Sequence, residues 1–97
     1  MKREDFIFTI GYQGNTALVD GTAKRQFGRL STRELAEKGF LKTALCSALY
    51  SRDQADIDAV LEIYRERSGN QSVTFERLQR ILGVFSVSEQ ITKAKVL

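Results

Sequence analysis

The sequence predicts a single α+β domain: an N-terminal antiparallel β-meander of about three strands, packed against three or four helices, with a C-terminal edge strand as a further candidate for the sheet. Three observations carry this. Phe6, Phe8, Ile10 and Tyr12 alternate with Ile7, Thr9 and Gly11, the two-residue period of a strand. Ser31-Thr32-Arg33-Glu34 has the form of a capping box and precedes an apolar run at helical spacing. Ile57, Val60, Leu61 and Tyr64 recur as one helical stripe. With 97 residues and no proline, Gly/Ser-rich linker or long-period repeat, residues 1–97 read as one domain.

The first strand spans residues 6–12, its even-numbered side chains forming an aromatic face directed at the core. Gln13-Gly14-Asn15 supplies a turn and Thr16 to Val19 a short second strand. Asp20-Gly21 is a two-residue hairpin signal, which makes Thr22 to Phe27 the third strand, closed by Gly28. In that register Lys24 and Arg25 point to opposite faces.

The capping box opens a helical stretch with Leu35, Ala36, Leu41, Ala44, Leu45, Ala48 and Leu49 on its apolar side. Gly39 divides it into a piece ending near Lys38 and a second from Phe40 to Tyr50, with one continuous helix as the alternative. A cap at Ser51-Arg52-Asp53-Gln54 starts the next helix, whose early acids (Asp53, Asp56, Asp58) and late Arg65 and Arg67 complement its dipole; Ser68-Gly69-Asn70 ends it. A last helix is expected from Thr74 to Leu82, with Val73 stapled onto Leu78 and Phe75, Leu78, Ile81 and Leu82 inward. In the tail, Thr92, Ala94 and Val96 alternate with two lysines as in an edge strand able to join the meander; a helix over 89–95 is the alternative reading.

Composition narrows the chemistry. The absence of histidine removes Ser-His and Cys-His nucleophile schemes, and a lone Cys46 removes internal disulfides and multi-thiolate zinc sites. No run approaches a membrane span and the N-terminal residues lack the apolar stretch of a secretion signal, so a cytoplasmic location is expected, with no membrane partner. No catalytic, cofactor-binding or metal-ligating residue is assigned, and no cofactor is expected.

Four motifs compete with plain structural readings. Ile10 to Thr16 places two glycines after a strand but lacks the Gly-Lys-Ser/Thr and following helix of a phosphate loop, so it reads as a hairpin turn. Asp53, Asp56 and Asp58 lack calcium-loop spacing and read as helix-start acids. Thr32 to Gly39 loosely resembles the opening of a helix-turn-helix, but Lys42, Thr43, Cys46 and Ser47 are a thin set for reading bases. The formal charge is +3, and Lys24, Arg25, Arg29 and Arg33 lie in a segment free of acids, with Phe27 among them as a base-stacking candidate.

These features give two expectations. The first is a small, non-catalytic protein-interaction or regulatory module, acting on another protein or as a homo-oligomer through a helical face or sheet edge. The alternative is nucleic-acid binding through segment 24–33, with Lys24, Arg25, Phe27, Arg29 and Arg33 as the contact residues.

Overall fold

A computed structural model of the chain describes residues 1–85 and 90–97. The fold is α+β. In chain order the elements are α1 (Arg3–Ile7), β1 (Thr9–Gln13), β2 (Thr16–Val19), α2 (Gly21–Phe27), α3 (Thr32–Glu37), α4 (Leu41–Ser51), α5 (Gln54–Ser68), α6 (Phe75–Leu82) and β3 (Lys93–Val96). The strands form one sheet in the order β1-β2-β3.

Two segments read as strand are helical. Residues 3–7 form α1, with Glu4 and Asp5 in its first turn, and Thr9 Oγ1 donates to the Asp5 carbonyl (2.6 Å) where the chain turns into β1. Phe6, Ile7 and Phe8 are therefore all buried, which a half-buried strand does not allow. The expected aromatic face is split: Phe6 and Phe8 enter the core, while Ile10 and Tyr12 are 66% and 52% exposed.

The second correction is α2. Asp20 accepts a hydrogen bond from the Ala23 amide (3.1 Å) and is a helix N-cap, not half of a hairpin turn. Ala23 and Phe27, the inward pair, are four residues apart, a spacing that fits both the strand and the helix period. Gly21 is buried beneath the chain end: a Cβ there would meet the Leu97 carbonyl oxygen and come within 2.9 Å of Val96 Cγ1.

The β1-β2 hairpin turns where the sequence predicts. Gly14 adopts φ +60° at the first central position, as a type II′ turn requires. β3 is the tail strand, and it runs parallel to β2 with Ala17 opposite Ala94 and Val19 opposite Val96. The Thr92 and Lys93 amides donate to Asn15 O (3.0 and 3.2 Å), and the Leu97 amide donates to Val19 O (2.9 Å). β2 is thus the central strand, with Ala17 and Val19 fully buried, and all of β3 is exposed. Glu89, where the alternative helical reading begins, lies outside the described residues.

The remaining helices form where expected. Both halves of the Ser31 capping box are present, and its hydrogen bonds hold the Glu34 carboxyl below the usual range. The stretch 31–51 is two helices: the Gly39 amide bonds Ala36 O and the Phe40 amide bonds Leu35 O (both 3.0 Å), the paired closure of a Schellman motif. Asp53 caps α5 and Thr74 caps α6, with Val73 and Leu78 both buried as the staple requires. Ile81 departs from expectation. It is half exposed, while among the described residues α6 meets the core through Phe75, Leu78 and Leu82.

The core lies between α3, α4 and α5, with α1 and β2 completing it. Arg3 locks α1 to this core. Its guanidinium donates to Ser47 Oγ (3.0 Å), Gly28 O (3.1 Å) and Leu30 O (2.7 Å), and Ser47 Oγ shares a 2.7 Å hydrogen bond with Thr32 Oγ1. No helix among the described residues is long and apolar enough to cross a membrane.

Candidate functional site

The most distinctive surface is built by β1, α4 and the end of α6. Thr9 pairs with Val19 and Gly11 with Leu18, so Ile10 is an extra residue in the ladder, a bulge that aims its side chain outward. Tyr12 follows two residues on. Lys42 and Cys46, one turn apart on α4, line the same groove, while Gly83 ends α6 and brings Val84 and Phe85 to the far wall. Phe85, like Ile10, is 66% exposed.

The resulting open groove has a volume of about 480 Å³. A second, of about 470 Å³, shares Thr9, Ile10, Lys42 and Cys46 with it and extends to Phe27 and Phe40, whose rings lie 4.8 Å apart at 60°. The two make one largely apolar surface, with Lys42 shared by both and Asp20 at the second, wide enough for more than one side chain of a ligand and too open to enclose a small molecule.

Lys42 is the one charged residue among the described lining of the first groove. It is exposed and makes no ion pair among the described residues. Burial pushes the Cys46 thiol up to about 11, against a lowering by Lys42, and Tyr12 is raised by burial and then by the charge that Cys46 would carry. Both are therefore neutral at physiological pH, which leaves a cation over an apolar floor.

The partly buried thiol makes stability depend on pH. The folded state holds the proton more tightly than the unfolded chain does, so stability is intact below pH 9 and is lost as pH rises from 9 toward 11. The loss should reach about 2 kcal/mol. Urea unfolding at both ends of that window should show the wild type losing about 2 kcal/mol more than Cys46→Ala; equal losses would contradict the burial of the thiol.

The basic segment is divided. Lys24 Nζ is 2.7 Å from Asp5 Oδ1, and Arg33 faces Glu62 (3.5 Å) and Glu37 (3.9 Å) on the α3/α5 side. Phe27 is half-buried against Phe40 in the second groove. Arg25 and Arg29 remain exposed and share an open depression with Arg3, Lys24 and Glu4. Lys24 and Arg25 occupy the last turn of α2, where cations complement the helix dipole.

Other motifs take ordinary places. Asp53 accepts from the Ala55 amide, Asp56 from Ser51 Oγ and Asp58 from Gln54 Nε2. Ser47, on the would-be base-reading face of α4, is buried. Sequence reasoning misses the groove, because Lys42 and Cys46 enter it only as base contacts and Phe85 has no evident role. Gly11 within an aromatic strand is the available sign of a bulge. Compared with known proteins, the chain matches no family model, no curated protein and no solved structure.

Proposed function

We propose that this chain is a non-catalytic protein-interaction module, working in the cytoplasm, that takes a segment of a partner protein into the groove between β1, α4 and the end of α6. One observation carries the reading: Ile10, Tyr12 and Phe85, three large apolar side chains, converge on one face while remaining more than half exposed. Apolar area gathered in this way has a cost in water and is a common mark of an interaction surface. The bulge at Ile10 directs a side chain outward that an unbroken strand would have placed in register with the core face. The nucleic-acid reading has less support, since Arg33 and Phe27 sit apart from the depression that Arg25 and Arg29 share.

The test is selection of short random peptides on the wild type, followed by their binding to an Ile10→Lys/Phe85→Lys variant. Both sites are exposed, so the variant should keep the wild-type circular dichroism. Selected peptides should bind it at least about ten-fold more weakly, the loss of one or two apolar contacts. Undiminished binding would remove the groove from the account.

A further inference from the structure

We infer that the partner segment carries a carboxylate next to its apolar anchor, and that Lys42 is the residue that reads it; this rests on the protein-binding reading above. Among its described lining the first groove offers one charge, Lys42, beside Ile10, Tyr12 and Cys46, and no acid; Asp20, which lines the adjoining groove, is engaged as the N-cap of α2, and the Cys46 thiol and Tyr12 phenol are neutral. Among the described residues Lys42 is held by no ion pair, in contrast to Lys24 and Arg33. An apolar ligand laid over this floor would strip water from the ammonium and give nothing back. A ligand with Asp or Glu beside a Leu, Ile or Phe anchor restores the lost interaction, so charge complementarity selects it.

Charge complementarity also disfavours a second copy of this chain. In a two-fold contact the patch meets itself. The copy would bring another Lys42, with no carboxylate among the described lining of its first groove and with Asp20 of the adjoining one engaged as the α2 cap. A nucleic-acid strand would supply phosphate but would find one cation in an apolar trough, not a track of them.

The experiment adds Lys42→Glu to the peptide selection, with light scattering of the wild-type protein alongside. Peptides selected on the wild type should be rich in Asp or Glu beside an apolar residue. They should bind Lys42→Glu about five-fold or more weakly, and weaken as salt rises from about 50 to 300 mM. Selection on Lys42→Glu should return Lys or Arg at the acidic position. If peptides lose binding to Ile10→Lys/Phe85→Lys yet ignore Lys42→Glu, the carboxylate inference falls and the interaction reading stands. If they bind both variants like wild type, or none is selected, both fall. A wild-type dimer that Ile10→Lys/Phe85→Lys dissolves would assign the groove to a second copy and overturn the inference.

Discussion

Replacing Leu45 with alanine should lower the unfolding free energy by about 3 kcal/mol, within the range for a leucine deleted from a rigid core. Leu45 is fully buried in the middle of α4, and α4 packs against α1, α3 and α5 at once. Its neighbours are anchored on several elements, so they cannot close over the lost volume without moving a helix, and the cavity cost adds to the transfer cost. For a domain of this size the melting midpoint should fall by roughly 12 to 20 °C. Urea or thermal unfolding measures it directly, with Ile81→Ala as the control, since half-exposed Ile81 should cost well under about 1 kcal/mol. A Leu45→Ala cost no greater than that of Ile81→Ala would mean that α4 is not central to the core.

The second large effect is expected for Arg3→Ala, at about 2 to 3 kcal/mol. The guanidinium satisfies the Gly28 and Leu30 carbonyls and Ser47 Oγ together, and so ties α1, the loop after α2 and α4 into one unit. Truncation leaves those acceptors to water that reaches them poorly, and it also leaves the buried Ser47–Thr32 pair without its outer donor. Arg3→Lys should rescue only part of the loss, because an ammonium on a flexible stem cannot reproduce the planar fork that meets three acceptors. Chemical denaturation of the two variants checks this: wild-type stability in Arg3→Lys, or an Arg3→Ala cost under about 0.5 kcal/mol, would show that the contacts do not hold the helix.

How much of this was legible in the sequence depended on whether a segment's pattern fitted one period or two. Ser31 with Glu34, Val73 with Leu78, and the stripe Ile57-Val60-Leu61-Tyr64 each match a helical device that no strand shares, and those helices are present. The alternation ending at Val96 likewise led to β3. Segment 22–27 was ambiguous, since Ala23 and Phe27 satisfy either period and Asp20-Gly21 can close a hairpin or cap a helix; the Ala23 amide decided it. At residues 6–8 the alternation concealed a short helix whose fixing interaction, through Arg3, is made with residues far along the chain.

The groove was less legible than the fold for the same reason. Its walls come from residue 10, residues 42 and 46, and residue 85, which only the tertiary structure brings together. No local period encodes that meeting. A charge count could not separate the four basic residues either, because Asp5, Glu37 and Glu62, which pair with two of them, come from other parts of the sequence or another turn of the same helix.

The surface around Ile10, Tyr12, Lys42, Cys46 and Phe85 is the proposed docking site for a partner segment. The most direct measurement is a two-dimensional NMR titration of the labelled protein with the tightest selected peptide, which reports every backbone amide at once. Shifts should concentrate at residues 9–12, 42–46 and 83–85, with α5 and the depression around Arg25 and Arg29 unchanged. Shifts centred on Arg25 and Arg29, or spread evenly over the surface, would contradict it.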